Sequence, residues 1–171
     1  PAGVGKLVQD AARGAQCEER TMAEACTPDG QRLLALNEVF VGHRTHQSAR
    51  YRLRYGDAEE RHSSSGLIVC TGTGATGWAR SISLRREGCP GLPEPTSQDL
   101  AFLVREPWPS VATGTSLAHA RFAPGEALVL TSEMNEGGVV FGDGIEDDHL
   151  DLPWGQVVTV RAAPVALRLV A

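Results

Sequence analysis

The stretch "GLIVCTGTGATGWA", residues 66–79, joins an apolar run to a turn rich in threonine and glycine. The run at 66–71 does not alternate between apolar and polar residues, which predicts a strand buried on both faces. A segment with helical spacing follows the turn, and Thr76 is a candidate cap for a helix that begins near Trp78. The stretch therefore predicts a strand, a tight turn and a short helix in this order.

The segments around this stretch predict a mainly β protein. "RLLALNEVFVG" (32–42) is typical of one continuous strand, and "RYRLRY" (50–55) alternates as a half-exposed strand does. Gly56 and Asp57 form a turn toward a partner strand at 58–62. Further short segments rich in β-branched residues lie at 100–104, 126–132, 137–144, 155–162 and 165–170. The expected fold is β-sandwich-like, with a short N-terminal helix and one helix after the Thr/Gly turn.

The first residues differ from the rest in periodicity. "VGKLVQDAARG" (4–14) has apolar residues at helical spacing and ends at Gly14, a residue type common just after helices. We expect residues 1–15 to be a connecting helix and residues 16–171 to be the β-rich domain. Because the chain begins without methionine, we also expect it to belong to a longer protein.

The composition excludes several classes of protein. The 171 residues are 42% hydrophobic and 22% charged, with a net charge of −5, and scattered basic residues do not form a nucleic-acid-binding surface. No membrane-length apolar stretch and no signal-peptide pattern are present, which favours a cytoplasmic location. The four cysteines have no metal-binding or redox-pair spacing, and we expect reduced thiols and no metal site.

Asn37 and Glu38 interrupt the apolar segment at 32–42. Adjacent strand residues point to opposite faces, so at least one of the two is expected to point inward. An unpartnered buried amide or carboxylate costs a few kcal/mol. Either the pair lies at a bulge or strand end and is solvated, or it binds a hydroxyl-bearing ligand such as a ribose.

The Thr/Gly turn, residues 71–77, has two possible interpretations. A turn between a strand and a helix exposes backbone amides to an anion, and three threonine hydroxyls add donors. The spacing matches neither the P-loop nor the dinucleotide-binding turn. Alternatively, the glycines are required by crowding at a corner of the sheet.

The acidic segment "FGDGIEDDHLDLPWG" (141–155) fits a calcium loop poorly, because oxygen ligands do not recur at regular alternating positions. A solvated hairpin tip with Asp143 and Gly144 as turn residues is expected instead. The dispersed histidines form no Ser/His/Asp arrangement.

Taken in order, these motifs resemble the C-terminal domain of the NAD kinase family. "ALNEV" is similar to the family's Asn-Glu pair at a strand, and "SGLIVCTGTGATGWA" resembles its "DGLI" followed by "TPTGSTAYS". "GDGIEDDHLDLPWGQVVTV" is similar to its terminal Asp-Gly hairpin and the following strand. The resemblance extends over nearly the whole chain.

The resemblance implies that the complete protein transfers phosphate from ATP, or from polyphosphate, to the 2′-hydroxyl of NAD, giving NADP, and that ATP and Mg²⁺ take part. It also implies a homo-oligomer and a missing N-terminal α/β domain whose "GGDG" loop supplies the catalytic aspartate. No catalytic residue is therefore expected in this chain, which would be inactive alone. The substrate-binding residues implied are Asn37, Glu38, Ser65, Thr71, Thr73, Gly74, Thr76, Gly77 and Trp78.

Several positions depart from the family pattern. Ser65 replaces an aspartate, and Trp78 replaces a tyrosine, which keeps an aromatic face but loses the hydroxyl. Ala75, Thr76 and Gly77 stand where the family has Ser-Thr-Ala. The alternatives are therefore a related sugar or lipid kinase domain, or a non-catalytic module that binds a ligand or serves in oligomerisation.

Overall fold

The computed structural model describes residues 2–12 and 17–170. Within these residues the chain forms two α-helices, twelve strands and a 3₁₀ turn at Gly74–Thr76. The helices and strands are α1 (Ala2–Ala12), β1 (Cys17–Cys26), β2 (Arg32–Ala35), β3 (Glu38–His43), β4 (Ala49–Tyr55), β5 (Ala58–Ser64), β6 (Leu67–Cys70), α2 (Trp78–Ser83), β7 (Leu100–Val104), β8 (His119–Phe122), β9 (Ala127–Ser132), β10 (Gly138–Gly142), β11 (His149–Asp151) and β12 (Val157–Val170).

The strands form two six-stranded antiparallel sheets. Their orders are β2-β1-β12-β9-β4-β5 and β11-β10-β3-β6-β7-β8. Apolar side chains from the facing surfaces of both sheets form one core, in which Leu53 and Leu130 of the first sheet and Phe102 of the second are fully buried. This is a β-sandwich. The predicted fold class, mainly β with two short helices, is confirmed.

The four inner strands of the second sheet, β3, β6, β7 and β10, are buried on both faces. In β3, Val41 packs in the core between the sheets, whereas Phe40 lies on the outer face with Ile68 of β6 and Leu103 of β7. Helix α2 and the loop at 84–99 cover this outer face. The burial predicted for residues 66–71 is confirmed, and its cause is that the strand has a packing partner on each side.

The segment at 32–42 is not one strand, as its apolar pattern predicted. The chain leaves the first sheet after Ala35 and enters the second sheet at Glu38. We call residues 36 and 37 the crossover. The pattern predicted continuity because both strands bury apolar side chains, although they do so in different sheets.

Other boundaries also differ from expectation. Thr76 lies in the 3₁₀ turn, and the residue before α2 is Gly77, whose position has no side-chain cap. The segments expected at 155–162 and 165–170 form the single strand β12. The hairpin predicted at 50–62 is confirmed, with Gly56 at φ 56°. The predicted helix end at Gly14, and with it the boundary near residue 15, lies outside the described residues.

Neither α1 nor α2 has the length and apolar character of a membrane-spanning helix.

Candidate functional site

The crossover carries Asn37 to one corner of the second sheet, and Asp143 holds it there. The Asp143 carboxylate accepts hydrogen bonds from the backbone N–H groups of Leu36 at 2.9 Å, Asn37 at 2.6 Å and Glu38 at 3.3 Å. The backbone N–H of Asp143 in turn donates to the carbonyl oxygen of Glu38 at 2.9 Å. The aspartate predicted at a solvated hairpin tip therefore fixes the backbone of the Asn-Glu pair.

Thr71 joins the Thr/Gly turn to the same crossover. Its side chain is fully buried, and its hydroxyl donates to the carbonyl oxygen of Leu36 at 2.6 Å. The hydroxyl oxygen also accepts from the backbone N–H groups of Thr73 at 3.1 Å and Gly74 at 3.2 Å. The Thr71 N–H donates to the carbonyl oxygen of Asn37 at 2.9 Å. The two predicted motifs thus meet, and the Thr71 hydroxyl is engaged in holding them together.

Crowding explains two of the three glycines. A Cβ at Gly72 would lie 1.8 Å from the carbonyl oxygen of Glu94, and a Cβ at Gly74 would lie 2.2 Å from that of Asn37. A Cβ at Gly77 would lie 3.7 Å from its nearest neighbour, the carbonyl oxygen of Gly74, which is an ordinary van der Waals distance. Glycine at positions 72 and 74 therefore permits close backbone packing.

The prediction that the turn directs its backbone amides at an anion is wrong for Thr73, Gly74 and Gly77. The N–H groups of Thr73 and Gly74 donate to Thr71, and the N–H of Gly77 donates to the carbonyl oxygen of Gly74 at 3.1 Å. Because these donors are used within the turn, side chains carry the polar character of this corner.

Three polar side chains at the corner have no hydrogen bond within the part of the chain that the structure describes. They are the amide of Asn37, the carboxylate of Glu38 and the hydroxyl of Thr73, whose oxygen is buried. Burial raises the pKa of Glu38, and the negative charge of Asp143 raises this pKa further. Of the three, the Thr73 oxygen is a buried polar atom without a partner, which is rare in proteins. A carboxylate with a raised pKa beside it is a feature of candidate functional sites.

Beyond the corner, the turn leads to an aromatic stack. Thr76 and Gly77 are exposed, and Trp78 begins α2. The rings of Trp78 and Phe40 have centroids 5.7 Å apart and are 10° from parallel, and Phe40 also stacks on Phe141 at 4.7 Å.

The Arg105 guanidinium lies 4.6 Å from the centroid of the Trp78 ring, a cation–π contact. Together with the aromatic stack, this contact borders a cavity of 590 Å³, which we call the aromatic cavity. It has a rim of basic, acidic and hydroxyl-bearing side chains, and its lining includes Phe40, His43, Arg44, Thr45, His46, Trp78, Arg105, Val139, Phe141, Glu146, Asp147 and His149.

Ser65 lies apart from the corner. It precedes β6, whereas Thr71 follows the same strand, so the strand separates the two residues. Ser65 is exposed, and its carbonyl oxygen accepts a hydrogen bond from Nη1 of Arg105 at 3.0 Å. The structure thus brings together Asn37, Glu38, Thr71, Thr73 and Gly74, continues through Thr76 and Gly77 to Trp78, and places Ser65 at the far end of β6.

Asp143, Arg105 and Phe40 were missing from the predicted site. Asp143 is more than 100 residues from its partners in sequence, with separations of 105 to 107. Its pairing depends on the register of β3 with β10, which no local pattern reveals. Phe40 could have been found, since alternation within "VFV" places it on the face opposite to Val39 and Val41.

Within residues 2–12 and 17–170, no group of three or more His, Cys, Asp or Glu side chains is arranged to hold a metal ion.

Comparison with curated proteins finds similarity to NAD kinases. Over 70 residues, 39% are identical to NAD kinase 2, mitochondrial, of Homo sapiens, and the same holds for the protein of that name from Rattus norvegicus. The match covers 38% of this chain and 16% of each relative. No family model matches the chain.

Solved structures with the same fold are also NAD and NADH kinases. An NAD kinase from Archaeoglobus fulgidus in complex with ATP superposes with a TM-score of 0.69 at 21% identity, over 96% of this chain and 59% of that chain. Yeast NADH kinase complexed with NADH gives a TM-score of 0.73 at 18% identity. This superposition covers 98% of this chain and 48% of the yeast chain. The resemblance predicted from the motifs is confirmed, and the fold is that of the β-rich domain of these kinases. The chain spans about half the length of these solved structures and a smaller part of the curated relatives.

Proposed function

We propose that this chain is the dinucleotide-binding domain of an NAD kinase-like phosphotransferase. In this proposal the complete protein transfers phosphate from ATP, or from polyphosphate, to the 2′-hydroxyl of NAD. The chain supplies the acceptor half of the cleft.

One observation carries the proposal. The Asn-Glu pair and the Thr/Gly turn, more than 30 residues apart in sequence, meet through the hydrogen bonds of Thr71 to the carbonyl oxygens of Leu36 and Asn37. Two motifs that resemble those of NAD kinases therefore form one corner, and unengaged polar side chains remain there. An arrangement of this kind favours a ligand rich in hydroxyl groups.

We assign a role to each group of residues. The Asn37 amide and the Glu38 carboxylate bind ribose hydroxyls, since an amide donates and accepts whereas a carboxylate accepts. Thr73 adds a hydroxyl. Thr71 and Gly74 position the corner rather than contact the ligand, because the Thr71 hydroxyl is engaged and Gly74 packs on backbone.

The remaining predicted residues border the path of an extended ligand. Trp78 contributes a wall to the aromatic cavity, which has room for a nucleotide ring. In the sequence, Thr76 and Gly77 lie between Gly74 of the corner and Trp78 of this cavity. Ser65 lies at the far end of β6, where its carbonyl oxygen accepts a hydrogen bond from Arg105. Ser65 can therefore contact only a ligand that extends past Trp78 to Arg105.

The complete protein needs more than these residues. Phosphoryl transfer depends on positioning and on neutralising charge around the transferred group. We propose that a further domain positions the donor phosphates, that Mg²⁺ accompanies ATP, and that the protein forms a homo-oligomer. The cytoplasmic location predicted from the sequence stays a prediction, and both curated relatives are named as mitochondrial.

Calorimetric titration of the chain with NAD and NADP tests the binding role. Asn37→Ala is expected to weaken binding about tenfold or more, the loss for one or two well-made hydrogen bonds. Asn135→Ala is the matched control, because Asn135 is an exposed residue of the β9–β10 loop. Equal affinity in both variants and the wild type would refute the assigned site.

A second experiment separates an enzyme from a non-catalytic module. The complete natural protein is assayed for NADP formation from NAD and ATP. Formation that falls with Asn37→Ala supports the kinase. Binding of NAD without NADP formation would favour the ligand-binding module, and phosphorylation of a different sugar or a lipid acceptor would favour a related kinase.

A further inference from the structure

A second cavity, of 560 Å³, lies between α2 and the end of β7. Three arginines line it, Arg85, Arg86 and Arg105, against the single carboxylate of Glu106. We call it the arginine cavity. An excess of positive charge in one concave site is unusual for a chain with a net charge of −5, and a cleft lined by one sign of charge attracts ions of the other sign.

The three guanidinium groups make no ion pair with a carboxylate of the described residues. Elsewhere in the structure, arginines commonly do so, as Arg121 does with Asp99 at 2.7 Å. Arg86 is fixed by backbone instead, because Nη1 donates to the carbonyl oxygen of Ala118 at 2.8 Å and Nη2 to that of Val104 at 2.5 Å. Burial lowers the pKa of Arg86. Its charge is thus held in place without being neutralised.

Arg105 is fixed in a similar way. Nη1 donates to the carbonyl oxygen of Ser65, and the guanidinium contacts the Trp78 ring. Arg85 is exposed and has no side-chain hydrogen bond within residues 2–12 and 17–170. The cavity therefore presents one free and two oriented guanidinium groups, the chemistry that recognises phosphate oxygens in a forked geometry.

The arginine cavity adjoins the aromatic cavity. Trp78 and Arg105 line both, so this pair forms the wall between them. A ligand with an aromatic ring in one cavity can place an anionic group near Arg105 in the other. A nucleotide combines these two groups at a separation of one sugar.

We propose that the arginine cavity binds the diphosphate of the dinucleotide, with Arg85 and Arg105 as direct ligands and Arg86 as a fixed neighbouring charge. The identity of the ligand as a dinucleotide rests on the proposed function. The positive charge of the cavity and the fixed positions of its guanidinium groups are observed independently of that function.

The test uses inorganic pyrophosphate as the probe, titrated into the chain by calorimetry, with NAD in a competition arm. Arg85→Gln and Arg105→Gln are expected to weaken pyrophosphate binding about tenfold, since each removes charge-assisted hydrogen bonds. Arg80→Gln is the matched control, an exposed arginine of α2 that does not line the cavity. Arg85→Gln is the safer variant for folding, because the Arg85 side chain makes no hydrogen bond to the described residues.

The outcomes separate this inference from the proposed function. Pyrophosphate that binds, competes with NAD and is lost in Arg85→Gln but kept in Arg80→Gln supports the inference. Absent binding, or an equal loss in Arg80→Gln, overturns it, and the proposed function stands if NAD binding still depends on Asn37. Pyrophosphate binding that NAD does not compete with overturns the assignment to the dinucleotide and identifies a separate site for free phosphate.

Discussion

Replacing Asp143 with alanine is expected to unfold the corner on which the site depends. The carboxylate accepts two short hydrogen bonds, from the N–H groups of Leu36 and Asn37, and a longer one from Glu38. A hydrogen bond to a charged group stabilises a protein by about 1.5–3 kcal/mol. The crossover residues are half-buried, so water replaces part of the loss. We therefore expect a decrease of about 2–4 kcal/mol in the free energy of unfolding.

Two further variants isolate the cause. Asp143→Asn keeps one oxygen acceptor and tolerates the φ of 52° at this position, so its decrease is expected to be smaller. Asp148→Ala removes an exposed acid of the same hairpin and is expected to change stability by less than about 0.5 kcal/mol.

The assay is urea unfolding followed by far-UV circular dichroism. NAD binding, measured in parallel at low urea, is expected to weaken in Asp143→Ala, because the Asn-Glu pair loses its fixed backbone. If Asp143→Ala is as stable as Asp148→Ala, the carboxylate does not hold the crossover and the reasoning fails.

Three further predictions concern crowding and charge. Gly74→Ala places a methyl group against the Asn37 backbone and is expected to destabilise the fold by about 1–3 kcal/mol, whereas Gly91→Ala, with open space around it, is not. Glu38→Gln is expected to raise stability at neutral pH and weaken NAD binding, because burial and a like charge disfavour the carboxylate. Stability is expected to fall on acidification below pH 6.5, because burial lowers the pKa of His62, and this fall is expected to be smaller in His62→Gln.

The signs of the two pH effects follow from proton binding. The folded-state pKa of Glu38 is raised, so the folded state binds its proton more tightly, and stability falls as pH rises from 4.5 through that pKa. The folded-state pKa of His62 is lowered, so the unfolded state takes up its proton first on acidification. Nε2 of His62 lies 3.1 Å from Glu60 without hydrogen-bond geometry, which leaves burial as the larger influence. Unfolding curves of the wild type, Glu38→Gln and His62→Gln, measured from pH 4 to 8, separate the two effects because their signs are opposite. A variant whose pH profile runs parallel to that of the wild type would contradict the effect assigned to the replaced residue.

Local patterns predicted the strands well where one face or both faces are buried by neighbours in the sandwich. The alternation at 50–55 and the apolar run at 66–71 are examples, because side-chain burial itself sets their periodicity. The crossover was missed, since apolar residues continue through a change of sheet. The Asp143 carboxylate that holds the crossover is distant in sequence and gives no local signal.

The residues of the candidate site were recognisable where the local sequence sets them apart from their neighbours. Asn37 and Glu38 are recognisable because they interrupt an apolar segment, and Thr73 because it belongs to the Thr/Gly turn. The three residues lie at one corner. The internal use of the Thr71 hydroxyl and the cation–π contact of Arg105 depend on tertiary packing. Neither follows from the spacing of residues in the chain.

An NMR titration of the isotope-labelled chain with NAD tests the central claim most directly. The backbone amide signals of Asn37, Glu38 and Thr73 are expected to shift together with one dissociation constant, while the exposed Asn135 stays unchanged. Shifts that leave these three amides unmoved, or that appear only on the opposite sheet, would contradict a dinucleotide site at this corner.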